Sequence, residues 1–168
     1  VPHLMHAQAV SRDSLAEIRR LVLALRPAEL TAAPLADAIG RVTKQWSAAN
    51  AVDAEFDAES LPSLHPDADV IFLRAAQEAL SNVARHANAR HVRVTLGCVD
   101  QLVQLAVEDD GCGFDHADTP GRERLGLTGM RERLRPMGGH LLIESHAGTG
   151  TSLTVVLPLA AAVAGSAS

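Results

Sequence analysis

Four clusters of polar and glycine residues follow one another along this chain: Gln77-Glu78-Ala79-Leu80-Ser81-Asn82, Asp109-Asp110-Gly111-Cys112-Gly113-Phe114, Gly126-Leu127-Thr128-Gly129-Met130 and Gly148-Thr149-Gly150-Thr151. In the first, Asn82 lies four residues after Glu78, and Arg85 and His86 lie three and four after Asn82, so all share one helical face. On an isolated helix such a face is usually just solvated. An acid, an amide and a cation together also suit a magnesium triphosphate. Magnesium takes oxygen ligands and keeps several waters, so the Asn82 carboxamide plus phosphate oxygens would suffice. Glu78 can orient a water or act as a base, and Arg85 can meet a phosphate.

The second cluster reads as an acidic turn where an apolar strand ends, or as half of a base pocket. A carboxylate at Asp109 accepts the exocyclic amine of adenine, a group that guanine lacks at that position, while Gly111 and Gly113 let the backbone approach the base. In the third, Gly126 and Gly129 are expected at the start of a helix, where unpaired amides and the helix dipole favour phosphate. Only residues 115–125 separate it from Phe114, so any lid is short. The fourth is a hairpin turn in isolation. Each cluster alone is ordinary; their order is what suggests a nucleotide pocket.

The elements that must position these residues follow from periodicity. Leu15, Ile18, Val22 and Leu25 form one stripe of a helix over Ser11 to Leu25, either a packing face or half of a coiled-coil seam, which Pro27 ends. A second helix is expected from Pro34 to Asn50 with Leu35, Ile39, Val42 and Trp46 inward, then a strand near Val52 to Asp57 and a loop from Glu59 to Asp67. A long helix from about Ala68 to Ala87 would bury Leu73, Ala76, Leu80, Val83 and Ala87. Val92, Val94 and Leu96, and again Val103, Leu105 and Val107, alternate with less apolar residues, which is strand periodicity. A loop from Asp109 to Leu125 leads to a helix over Thr128 to Met137, and Gly138-Gly139 turns into strands near His140 to Ser145 and Ser152 to Leu157. The Ala-rich end from Ala160 to Ser168 reads as a frayed tail. The order suggests a sheet with helices on one face.

Composition limits the function classes. The 168 residues suit one domain with a small appendage, and 47% hydrophobic content can supply its core. A net charge of −5 argues against a nucleic-acid binder, and one tryptophan with no tyrosine argues against base-stacking platforms. Cys98 and Cys112 form neither a metal-type pair nor a disulfide framework, which fits a reducing cytoplasm. No apolar run reaches the length of a membrane span, and no signal peptide opens the chain. A start at Val1 rather than methionine suggests a fragment, with a membrane or sensory part expected elsewhere. Asp115 and Asp118 do not complete a calcium loop. His3 and His6 share a helix face but read as solvated terminal residues.

The segment from about Asp69 to Pro158 resembles the ATP-binding domain of sensor histidine kinases, within the wider superfamily of gyrase B, MutL and the heat-shock chaperone ATPases. Its phrasing is most similar to kinases paired with helix-turn-helix response regulators. Gln77-Glu78-Ala79-Leu80-Ser81-Asn82-Val83-Ala84-Arg85-His86-Ala87 carries that likeness, with Gly126-Leu127-Thr128-Gly129-Met130-Arg131-Glu132-Arg133 and the run from Gly138-Gly139 to Leu157-Pro158. Leu25-Arg26-Pro27 resembles the end of that group's second dimerisation helix, which favours the coiled-coil reading of Ser11 to Leu25.

The resemblance implies an α/β (α+β) two-layer sandwich: a mixed sheet of about five strands with three helices on one face, preceded by a partial dimerisation helix. Residues 1–30 would end the dimerisation hairpin, 31–159 form the kinase domain and 160–168 a disordered tail. It implies ATP and magnesium as cofactors, with Asn82 as the metal ligand and Asp109 on adenine. Gly111 and Gly113 would form the adenine loop, and Gly126, Leu127, Gly129 and Met130 the phosphate segment. Thr151 would stand near Asp109, and Glu78 and Arg85 would assist. The implied reaction moves the γ-phosphoryl of ATP to a histidine on an upstream dimerisation helix, and a response regulator then takes it on an aspartate. Homodimerisation of the full protein, a cytoplasmic location with a possible inner-membrane anchor, and no contact of this segment with nucleic acid or membrane go with it. No histidine here has the acidic neighbour of an acceptor, so self-phosphorylation of the chain alone is not expected. A free-standing ATPase or anti-sigma-type serine kinase, and a nucleotide-binding module without turnover, are the alternatives.

Overall fold

A computed structural model describes residues 27–114 and 121–164, with the backbone alone over 121–125. The helix expected over Ser11 to Leu25 therefore lies outside the described residues, as does most of the expected lid.

Helix α1 (Ala28–Ala32) begins at Pro27, whose fixed φ of −53° presets the first turn. Helix α2 (Leu35–Asn50) begins after Pro34 as its spacing predicts, with Leu35, Ala38, Ile39 and Thr43 buried and Val42 and Trp46 half-buried. Ala51 closes it with a left-handed φ of 53°. After strand β1 (Asp53–Ala58) the expected loop is shorter than it looked. Helix α3 starts at Pro66 and runs to Asn82, because proline is favourable at the first helical position and the His65 ring accepts the Asp67 amide at 3.2 Å. Leu73, Ala76, Leu80, Val83 and Ala87 form its buried stripe, the last two in a π turn over Val83–Ala87 that widens its end.

Strands β2 (His91–Val99), β3 (Leu102–Asp109), β4 (His140–His146) and β5 (Gly150–Pro158) complete a five-stranded sheet in the order β1-β2-β3-β5-β4. Only the β1–β2 pair is parallel; the other pairs are antiparallel. Alternation puts Val92, Val94 and Leu96, Val103, Leu105 and Val107, and Leu153, Val155 and Leu157 on the face that α2 and α3 cover. The opposite face carries polar and small residues with Leu142 exposed. The architecture is thus a two-layer α/β fold on a mixed sheet.

Two expectations change here. Helix α4 spans Gly121–Leu134, not Thr128 to Met137, and is followed by a 3-10 turn, Arg135–Met137. Leu127, Met130 and Leu134 are buried at steps of three and four, so one inward stripe holds the helix together across both glycines. Gly126 and Gly129 consequently sit inside the helix rather than at its amide-rich start. The Ala-rich end is not frayed over its first part: Leu159–Ala164 forms helix α5. Alanine is the best helix former, Ala162 is fully buried, and its carbonyl accepts the His65 amide at 2.8 Å. Among the described residues no helix is long and apolar enough to cross a membrane.

Candidate functional site

Strand period carries chemistry one step past the apolar core. Asp109 follows Val103, Leu105 and Val107 on the inward side of β3, and the sheet register sets it beside Thr151, which in turn pairs with Ser145. A cavity of about 260 Å³ opens over this row. The end of α3 and its π turn supply Asn82, Val83, His86 and Ala87 to its wall; the sheet supplies Val107, Asp109, Ile143, Thr151 and Leu153. Gly113, Phe114 and Leu127 close the rest. A mostly apolar slot with a carboxylate on its floor has the character of a pocket for a flat heterocycle with an amine. Among the described lining residues Asp109 and His86 are ionisable, and none is lysine or arginine.

The two neighbouring aspartates are set apart by their surroundings. Asp110 Oδ1 accepts the amides of Arg90 and His91 at 2.8 and 2.9 Å, bonds that hold its carboxyl below the usual range and fix the start of β2. Burial raises the Asp109 carboxyl above the usual range, against the opposing pull of the Gly111 and Thr151 amides, with Asp110 adding to the rise. Its Oδ1 accepts the Gly111 amide at 2.8 Å. Held by backbone, Asp109 keeps acceptor capacity for a ligand donor.

The loop after Asp109 is bound on both sides. Cys112 donates its amide to the Ala87 carbonyl at 2.7 Å and its thiol to the His86 carbonyl at 3.1 Å, and its own carbonyl accepts the Gly148 amide at 2.6 Å. Carbonyls at a helix end have no intrahelical partner, so the π turn and the loop satisfy each other. A Cβ at Gly111 would strike the Ala87 carbonyl, and Gly113 adopts φ of +60° against the His146 carbonyl. Both positions therefore need glycine. Ser145, buried, bonds the Phe114 amide at 2.9 Å, the Gly150 carbonyl at 3.1 Å and the Thr151 hydroxyl at 3.0 Å.

The structure brings Asn82, Asp109, Gly113, Leu127 and Thr151 to one cavity, with Gly111 packed behind its loop. Glu78 is half-buried one turn before Asn82, its carboxylate against the Cα of Gly126. Arg85 is exposed and does not line the cavity, because the π turn rotates the helix end away from the face that a regular helix would share with Glu78 and Asn82. Met130 is core, and among the described residues a Cβ at Gly129 would meet Arg133 of its own helix. His86, placed by its spacing on the face of Asn82, lines the cavity with it, whereas Ser145 and the apolar wall of Ile143 and Leu153 escaped the sequence reading. The inward alternation of β4 was the signal for Ser145.

Residues 68–161 match the family described as histidine kinase-, DNA gyrase B-, and HSP90-like ATPase. The chain is 36% identical over 152 residues to the sensor histidine kinase YhcY of Bacillus subtilis, covering 90% of this chain and 39% of that protein. It is 35% identical over 151 residues to the sensor histidine kinase MctS of Rhizobium johnstonii, covering 88% of this chain and 32% of that protein. This chain thus spans about a third of the length of these curated relatives. The fold is similar to the histidine kinase domain of the blue-light activated histidine kinase EL346 from Erythrobacter litoralis, with a TM-score of 0.64 at 23% identity over 80% of this chain and 66% of that one. With its matched segment covering α3 through β5 and the whole cavity, the chain belongs to the family of histidine kinase-, DNA gyrase B- and HSP90-like ATPases.

Proposed function

We propose that this domain binds ATP with magnesium and donates the γ-phosphoryl to a histidine on a dimerisation helix, for relay to a response-regulator aspartate in two-component signalling. The observation that carries the reading is the apolar slot floored by Asp109, with Asn82 on its helical wall. Asp109 takes the adenine amine, with Thr151 beside it and the tethered Gly111 to Gly113 loop along the base. Asn82 offers its carboxamide oxygen to magnesium. The described residues hold no cluster of three His, Cys, Asp or Glu that would cage a cation, so this metal would be shared with phosphate oxygens and water, the usual bonding of magnesium. Bound there, it neutralises charge on the triphosphate. Glu78, one turn from Asn82, orients the accepting nitrogen or holds a proton. Arg85 reaches phosphate only beyond the slot. Residues 1–30 supply the end of the dimerisation hairpin, in a full protein that is a homodimer.

Calorimetric titration tests this. ATP with magnesium should bind, GTP should bind at least tenfold more weakly for want of the amine, and Asp109→Asn should lose the discrimination. Phosphate should pass from ATP to a supplied acceptor helix and then to a regulator, and not to the chain alone. Equal binding of ATP and GTP would sink the assignment of Asp109; no binding of either would sink the nucleotide reading.

A further inference from the structure

Helix α1 lies between residues 1–26 and the kinase domain, and it is fastened to two helices at once. Leu30 is 2% exposed and belongs to the same core as Leu35, Ile39 and Leu73. Pro27 is also buried, and its carbonyl accepts the Leu30 amide at 2.9 Å and the Thr31 amide at 3.2 Å. Arg41 of α2 donates to the Glu29 carbonyl at 3.1 Å. From α3, Gln77 donates its side-chain amide to Glu29 Oε1 at 3.4 Å, and Gln77 Oε1 accepts from Arg74 at 3.1 Å. Gln77 immediately precedes Glu78, whose carboxylate rests on Gly126, and it is five residues from Asn82.

We infer that α1 is a strap that couples the segment before Pro27 to the nucleotide site through Glu29 and Gln77; the inference rests on the ATP reading above. The attachment is small: one buried leucine, a buried proline and two hydrogen bonds, one exposed and one half-buried. Contacts of that size open at a low free energy compared with global unfolding. A pull or twist on Pro27 from its N-terminal side therefore acts on Glu29 first, and through Gln77 on the turn of α3 that carries Glu78 and Asn82. Docked, α1 holds that turn in the position in which Glu78 meets Gly126. Released, it leaves Gln77 to solvent and the turn less restrained. Linkage makes the coupling reciprocal: if docking favours nucleotide, nucleotide favours docking. Glu29 and Gln77 are positioning residues here, since neither lines the cavity.

The test uses the whole chain. Hydrogen exchange of the Leu30 and Thr31 amides is followed with and without magnesium-ATP, and ATP affinity is measured for the unaltered chain, Glu29→Ala and Glu29→Gln. The strap predicts that ATP slows exchange at Leu30 and Thr31, neither of which lines the cavity. Glu29→Ala should weaken ATP binding about three- to tenfold. Glu29→Gln keeps an acceptor oxygen for Gln77 and should restore most of the affinity, which a general loss of stability would not. Unchanged exchange on ATP binding, or equal affinity in all three chains, overturns the strap while leaving the nucleotide site standing. Failure of the unaltered chain to bind ATP would overturn the functional reading and the strap with it.

Discussion

At the scale of residues, the site turns on one carboxylate that the fold makes uncomfortable. The Asp109 value in the folded chain lies above its ordinary 3.8, burial being the first cause. The folded protein then holds the proton more tightly than the unfolded one, so this group's effect on stability is most favourable below that ordinary value. It declines as pH rises through the window up to the folded value. Asp109→Asn retains an oxygen for the Gly111 amide and removes the charge. Its melting temperature at neutral pH should equal or exceed that of the parent, with the difference shrinking in scanning calorimetry as pH falls through the same window. ATP affinity should drop at least tenfold all the same, because an amide nitrogen now faces the adenine amine. Ser145 makes the opposite kind of case. Ser145→Ala removes the bonds to the Phe114 amide and to the Thr151 hydroxyl, and should cost about 1–3 kcal/mol in urea unfolding with a parallel loss of ATP affinity.

At the scale of elements, what the sequence discloses depends on whether a rule of period applies. The strands were legible because Val92, Val94, Leu96 and their partners alternate, and β3 ends at Asp109 where its apolar run ends. Asn82, Asp109, Gly113, Leu127 and Thr151, picked from four separate clusters, meet in one cavity. Arg85 did not join them, since no residue type announces a π turn, and five residues of it are enough to swing a side chain off its expected face. The start of α4 was hidden by Gly121, Gly126 and Gly129, which lower helix propensity while Leu127, Met130 and Leu134 hold the helix from inside. Helix α5 was hidden by composition: an alanine run has no amphipathic contrast, and only the buried Ala162 and the bond from its carbonyl to His65 show that it is docked. Deleting residues 159–168 should accordingly destabilise the chain by about 2–4 kcal/mol, because a core contact and the partner of a helix-cap amide go together. Chemical denaturation of the shortened chain measures this; a frayed tail would leave the midpoint unmoved.

At the scale of the whole molecule, the cavity lies where four parts of the chain meet. The end of α3, the loop after β3, the β4–β5 hairpin and α4 each contribute one side; Cys112 ties the loop to the end of α3 and to the hairpin, Ser145 ties the hairpin to Phe114, and Glu78 stands against Gly126 of α4. A ligand filling the slot adds contacts to all four at once, and it binds the folded chain alone. Mass action then gives a stabilisation of about 2.7 kcal/mol at a hundred times Kd, about 5–10 °C in melting temperature for a chain of this size. On the ATP reading, with no lysine or arginine in the described lining, charge on the triphosphate would fall chiefly to magnesium. The rise should therefore be large for ATP with magnesium, much smaller once the metal is chelated, and nearly insensitive to magnesium for adenosine, which fills the slot without the phosphates. Thermal melts in those three conditions separate the two halves of the site. A full rise with ATP in chelator would show that protein groups alone neutralise the phosphates, and would move the search for them to residues 115–125.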